Sequence, residues 1–310
     1  MGRPMWHPRS RSPRHDRTEV EDTNYRSGGG GMSLLISSVY TYDADASAYI
    51  LAVEAADGQT LEPATRSAIN KFVVGCKADG IWTAIKASCI LAGARTLAGA
   101  LIPLVGTAPT NNGFIGIGTD YVRKTGLVGN GTSKSLRTGL LANSLGNTSH
   151  HMFFNGPSLR TTGASGADYV LGGVYNGTNL SSLLDLVEFA GTATLRELRS
   201  GTGGNSAGNS CTIFTGRTSS GSVSGSRTSA TELRLYQNGS SVALASNSNT
   251  PALPAVAFGV FARNDNGTQS LHSDSRLSFF SFGDGLGTAA MLSLHTRVTD
   301  LINAFAVTIP

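Results

Sequence analysis

The period of the apolar residues changes near residue 111, and this change constrains the fold more than any single motif. Before it, apolar positions recur at helical spacing. Ala46, Tyr49, Ile50, Val53 and Ala56 fall at i, i+3, i+4, i+7 and i+10, which makes one face of a helix. Asp43 or Asp45 can cap its start and Gly58 can end it. A second helix begins near Pro63, buries Ile69, Phe72, Val73 and Cys76, and closes at Gly80. The spacing of Ile81, Trp82, Ile85, Cys89 and Ala92 predicts a third helix, stopped by Gly93, and Leu97 and Leu101 mark a short fourth piece. Each is too short to be stable alone and must pack on a neighbour.

Beyond residue 111 the apolar residues alternate in short runs split by Gly, Asn and Ser. In Thr231–Tyr236, Leu233 and Leu235 share one face; Asn238-Gly239 follows, and Val242 and Leu244 alternate after it. Asn-Gly between alternating runs signals a hairpin. Further strands are expected at Gly126–Val128, His151–Phe154, Tyr169–Tyr175, Leu183–Phe189, Thr212–Thr215, Val256–Arg263 and Leu277–Phe282. Short strands with turn residues between them indicate an all-β sandwich or barrel. After Gly287 the helical period returns in Met291, Leu294, Val298 and Leu301. The expected organisation is an Arg/Gly-rich disordered leader over 1–31, a helical module over 32–110, a β-sandwich over 111–287, and a C-terminal helix and tail over 288–310.

Composition agrees with a sandwich. Charged residues are 14% of the chain and glycines number 39 of 310. An average soluble protein is about 25% charged and about 7% glycine, so a coiled coil and a highly charged disordered chain are both excluded. The net charge of +4 divides evenly: six arginines face four acids in residues 1–31, and 18 basic face 16 acidic residues beyond. No dense basic stripe points to a specific nucleic acid. Cys76, Cys89 and Cys211 are an odd count without a CxxC pair, and read as free thiols rather than a disulfide framework or zinc site. The most apolar stretch, Ile81–Val105, is broken by Lys86, Arg95, Gly93, Gly99 and Pro103; no membrane-spanning helix is expected.

The candidate chemistry is sparse. Asp185 and Glu188 in Leu183-Leu184-Asp185-Leu186-Val187-Glu188-Phe189 resemble the active strand of laminarinase-type glucanases, E-x-D-x-x-E. The nucleophile position holds Leu183, which cannot form a glycosyl-enzyme bond. His150 and His151 are adjacent, so on a strand they point to opposite faces and do not share a metal. Gly221-Ser222-Val223-Ser224-Gly225 spells a nucleophile elbow, but its Ser/Gly-rich surroundings read as a loop without the flanking strand and helix. Neither Gly113–Gly118 nor Gly201–Gly208 has the spacing or lysine of a phosphate loop. No catalytic residue, metal ligand set or cofactor is assigned. The oxygen-rich turn Asn264-Asp265-Asn266-Gly267 is the one place where a weak calcium ion is chemically reasonable.

Several segments together resemble a concanavalin A-like, or laminin-G-like, jelly roll of the form found in structural proteins of tailed bacteriophages. They are Gly126–Gly131, Arg227-Thr228-Ser229 leading into Leu233–Gly239, Phe261–Gly267, Ser273–Phe279 and Gly283–Leu286. Ala55–Gln59 and Gly75–Trp82 are similar to the segment that precedes the jelly roll in such proteins. The resemblance implies a virion surface protein, assembled in the host cytoplasm, of the fibre or receptor-binding kind. It implies other virion proteins as partners, a homotrimer by analogy with fibres, and host surface glycans met by loops at one end of the sandwich. The expected ligand-binding residues there are Asn264, Asp265, Asn266, His272 and Asp274, with Tyr236 as a stacking platform. A capsid decoration protein without a ligand is the alternative, and a polysaccharide depolymerase a weaker one.

Overall fold

Residues 42–159, 169–176, 183–189, 192–198, 209–213, 220–246 and 252–310 are described by the computed structural model. The leader expected over 1–31 and the Gly201–Gly208 loop lie outside these residues. Helix α1 (Ala44–Asp57) starts at Asp43, whose side chain accepts from the Asp45 amide, and ends at Gly58 with φ 68°. Helix α2 (Pro63–Ala78) has its proline in the first turn. Ala46, Tyr49, Ile50 and Val53 of α1 and Ile69, Phe72, Val73 and Cys76 of α2 are buried, as the spacing predicts. The expected fourth piece is a single turn, α3 (Leu97–Ala100), capped by Thr96.

The strands form two large sheets. In spatial order the first is β14 (Ser240–Ser246), β13 (Glu232–Gln237), β12 (Gly221–Ser229), β7 (His150–Gly156), β19 (Phe279–Gly283), β1 (Ile85–Ile90) and β2 (Pro103–Val105). The second is β11 (Asn209–Ile213), β10 (Thr192–Leu198), β9 (Leu183–Phe189), β8 (Tyr169–Tyr175), β15 (Ala257–Val260), β6 (Ser135–Leu141) and β3 (Thr110–Asn112). A short hairpin, β16 (Arg263–Asp265) and β17 (Thr268–Ser270), is attached to this second sheet through β8. A small third sheet joins β18 (Arg276–Leu277), β5 (Gly126–Val128) and β4 (Tyr121–Val122). Pairing is antiparallel except where β16 runs parallel to β8.

The result is a mainly β, antiparallel sandwich with a small N-terminal helical module and a C-terminal helix. The rings show its layers. Phe282 of the first sheet stacks on Phe258 of the second at 4.4 Å between centroids, and Phe154 meets Phe282 edge-on. On the opposite face of the same strand, Phe279 meets Phe153 and, from α2, Phe72. The centre of the first sheet is therefore covered twice, by the second sheet and by helices. Every residue of β7 and β19 is buried, which is how a strand between two apolar layers reads. Helix α4 (Thr288–Thr308) completes the cover with Met291, Leu294, Val298, Leu301 and Phe305.

This double cover overturns one expectation. The third helix expected over residues 81–92 is a short 3-10 turn, Trp82–Ala84, followed by strand β1. Ala87 and Cys89 pair with Phe282 and Phe280, Ser88 and Ile90 with Ser281 and Phe279, and all four are buried; a bulge separates them from buried Ile85, and only Lys86 of the strand is exposed. A strand buried on both sides loses its alternation, and its apolar run then fits helical spacing equally well. Pairing with β19 and β2 decides the matter. The Gly221–Gly225 run is likewise not a loop: it begins β12, in the interior of the sheet, with Ser222 and Ser224 buried.

Helices α2 and α4 lie antiparallel. Thr65 Oγ1 meets Thr308 Oγ1 at 3.4 Å at one end. At the other, the Arg297 guanidinium forks onto Asp79 with contacts of 2.8 and 3.0 Å. Arg297 reaches across Gly75, where a Cβ would stand 2.6 Å from its Nε. Cys76 and Cys89 are buried free thiols, and burial pushes the Cys76 thiol up to about 12.

Candidate functional site

The six expected ligand-binding residues do not converge. Asn264, Asp265 and Asn266 lie in the β16–β17 hairpin, beside the C-terminal end of β8, where the Asn266 amide donates to the Tyr175 carbonyl at 2.9 Å. His272 follows Leu271, whose carbonyl accepts from Val170 near the other end of β8. Five strand residues separate these ends, about 17 Å. Asp274 lies near Gly131, in the turn between β5 and β6. Tyr236 is in the other sheet. It is 1% exposed, and its hydroxyl is 3.4 Å from Thr288 Oγ1 at the start of α4. So buried a ring is not an open stacking platform. Burial raises its phenol and lowers the His272 imidazole from their ordinary values.

The hairpin itself is a built rim. Asn266-Gly267 forms its two-residue loop, with φ of 49° and 105°, the left-handed pair a tight hairpin requires. Asn264 is buried and structural: its Oδ1 accepts from the Gly267 amide at 2.8 Å, and its Nδ2 donates to the Ala257 carbonyl at 2.7 Å. Asp265 accepts a guanidinium fork from Arg263, Nε at 2.5 Å and Nη2 at 2.9 Å, and a further bond from Ser270 Oγ. The Arg263 guanidinium also lies 5.0 Å from the centre of the Tyr175 ring, within reach of a cation–π contact. Tyr175, Arg263, Asp265 and Ser270 are half-buried, while Asn266 and Thr268 are exposed.

This arrangement does not fit a calcium ion. Both oxygens of Asp265 already accept from a cation and a hydroxyl, and Asn264 oxygen is taken by backbone. Among the described residues no three His, Cys, Asp or Glu side chains gather where they could hold a metal. What the rim offers is a fixed aromatic ring edge, a guanidinium, an amide and a hydroxyl at one partly exposed place. Tyr175 and Arg263 were the participants that sequence patterns did not single out. The available signal was Arg263 two residues before Asp265, which places both on one strand face.

The catalytic candidates do not assemble either. Asp185 and Glu188 fall on β9; their side chains lie outside the described residues. His151 is fully buried between the Asp284 carbonyl, 2.6 Å from Nδ1, and Ser281 Oγ, 2.8 Å from Nε2. Burial lowers it to about 4. His150 Nδ1 faces the Gly146 carbonyl at 3.0 Å. Ser222 Oγ does meet a histidine, His295 Nδ1 of α4, at 2.8 Å. Ser222 is fully buried, and no carboxylate partners His295 among the described residues, so the pair lacks both access and the orienting acid of a triad.

Known structures provide distant likenesses of fold. The chain is similar to the Ruminococcus gnavus IT-sialidase CBM40 bound to α2,3-sialyllactose, with 18% identity over 47% of this chain and 81% of that one, and a TM-score of 0.38. It is similar to the K499G mutant of NanB sialidase from Streptococcus pneumoniae, at 11% identity over 53% and 26% and a TM-score of 0.39. The receptor-binding domain of botulinum neurotoxin C/D mosaic serotype gives 13% identity over 69% and 51%, and a TM-score of 0.47. The chain thus spans about a quarter of that sialidase and half of the toxin domain. No family model and no curated relative matches the chain.

Proposed function

We propose that this chain is a non-catalytic recognition protein of a virion surface, of the fibre or receptor-binding kind, which contacts host glycans through the β16–β17 rim. The observation that carries the reading is the Tyr175–Arg263–Asp265 constellation beside exposed Asn266 and Thr268. Sugars present hydroxyls in a fixed pattern around an apolar ring face. They are met by planar amides, guanidinium forks and aromatic rings already held in place, because prior ordering lowers the entropic cost of binding. The low charge of the chain, 14%, suits such neutral polar contacts. Its placement on a phage particle rests on the sequence resemblance alone.

The test is binding of the full chain to a broad glycan panel, with and without a calcium chelator. Specific binding is expected, unchanged by the chelator, because the Asp265 oxygens are already engaged. Tyr175→Ala should weaken it about ten-fold or more. Absence of binding to every glycan sinks the reading and leaves the decoration role. Release of new reducing ends from polysaccharide sinks its non-catalytic part.

A further inference from the structure

Helices α2 and α4 each have two apolar stripes, and among the described residues only one of them is covered. Their first stripes, Phe72, Val73 and Cys76 on α2 and Val298, Leu301 and Phe305 on α4, are buried. A second stripe on each helix opens on a surface groove of about 770 Å³ that runs between them. The α2 wall carries Lys71, Val74 and Ala78, spaced three and four apart, and Val74 is 45% exposed. The α4 wall carries Arg297, Asp300 and Ala304, with Leu301 beneath. This is the 3-4 spacing of a helix–helix seam.

The two charges decide what fits. Lys71 stands on one wall and Asp300 on the other. Both are exposed, and neither forms an ion pair among the described residues. The Thr65–Thr308 contact at one end and the Arg297–Asp79 fork at the other fix the register. Lys71 and Asp300 therefore lie near the middle of their walls. A two-fold axis running along the groove turns α2 of one copy onto α4 of the next. It sets Lys71 against the second copy's Asp300, twice, and Val74 against the second groove.

We infer that the α2–α4 groove is a self-complementary interface, in which two copies of this chain pair about a two-fold axis to close a four-helix bundle. A two-fold interface must contact its own image, and a face whose Arg297 is already engaged by Asp79, leaving Lys71 and Asp300 on opposite sides of an apolar seam, satisfies that condition without like-charge contact. A single-sign face would not. The inference is independent of the glycan reading, since the rim and the groove share no residue. It departs from the three-fold assembly that the fibre resemblance implies, and the two are separated by mass.

Sedimentation equilibrium of the full chain over a range of concentrations tests it. The expected mass is that of two chains. Lys71→Glu and Asp300→Lys should each weaken pairing about ten-fold or more, because every change acts twice. The double variant K71E/D300K should recover it. Val74→Arg should give single chains with an unchanged circular dichroism spectrum, which separates lost pairing from lost folding. A mass of one chain or of three chains overturns the inference. So does insensitivity to both single charge reversals, or failure of the charge swap to recover pairing.

Discussion

The two sheets of the sandwich live in different surroundings. The centre of the seven-stranded sheet is covered on both faces, by helices and by its partner sheet, and the residues of β7 and β19 are buried without alternation, whereas its edge strand β14 is exposed at Val242 and Leu244. The partner sheet is open on one face at β6. In β6, Leu136 and Thr138 are buried while Arg137, Gly139 and Leu141 are exposed. The difference teaches where each kind of work resides. The doubly covered centre of that sheet has no surface to offer and serves as scaffold. The open sheet and its attached hairpin can change residue by residue without disturbing the core, and the candidate glycan rim sits there.

The largest effect should come from breaking the covered sheet. Phe282 stacks on Phe258 and contacts Phe154 and Phe280, and it is fully buried. Phe282→Ala should cost about 3–5 kcal/mol in urea unfolding, transfer and cavity terms together. Arg137→Ala, on the open face, should stay within about 0.5 kcal/mol. Equal costs for the two would remove the distinction between the sheets.

Acid should also find the covered sheet first. The neutral His151 ring donates from Nδ1 to the Asp284 carbonyl and accepts at Nε2 from Ser281. Burial holds it at about 4 against an ordinary 6.5. The folded-state value lies below the unfolded one, so the unfolded chain binds the proton first. Stability is therefore complete above pH 6.5 and is lost as pH falls toward 4, by about 3 kcal/mol. Burial lowers His272 and His295 too, which adds to the loss in the same direction. Unfolding free energy followed from pH 7 to pH 4 should show it, and His151→Gln should flatten most of the slope. A full slope in that variant would assign the effect elsewhere.

The same contrast explains how much could be read from sequence. Strands set off by Gly, Asn and Ser turn residues were legible whether or not they alternate: Gly126–Val128, Tyr169–Tyr175 and Leu183–Phe189 stand at the expected bounds. Helices packed by one stripe were equally legible, as α1, α2 and α4 show. Strand β1 was not, because two apolar layers erase the period of two and leave an apolar run that either structure can use. The site was legible only in part. Asn264–Gly267 reads as a turn from its own letters, but Tyr175 is about 90 residues away and reaches the turn only through the parallel pairing of β16 with β8. His272 and Asp274, eight and ten residues from Asn264, are nearer in sequence, yet the first is carried to the other end of β8 and the second to the turn between β5 and β6. Tyr236 looked exposed because alternation on β13 marks two faces without saying which is covered.

Two hairpins sharpen the comparison to single atoms. Asn238-Gly239 joins β13 to β14 on the covered sheet, and Asn266-Gly267 joins β16 to β17 on the rim. Both asparagines have φ of 49°, followed by a glycine at 75° or 105°. Glycine adopts this conformation with less strain than asparagine, so Asn→Gly should be nearly neutral for the backbone at either place. The side chains differ. Asn238 Oδ1 accepts from the Ser222 amide at 2.8 Å and binds the turn to β12, whereas Asn266 projects into solvent. Asn238→Gly removes the acceptor of a partly buried amide and should cost about 1–2 kcal/mol. Asn266→Gly should change unfolding free energy by less than about 0.5 kcal/mol. If the rim binds glycan, the ranking reverses in a binding assay: the stable Asn266→Gly variant loses affinity and the destabilised Asn238→Gly variant keeps it. Loss of binding in Asn238→Gly alone would move the site to the covered sheet and undo the division of labour between the two.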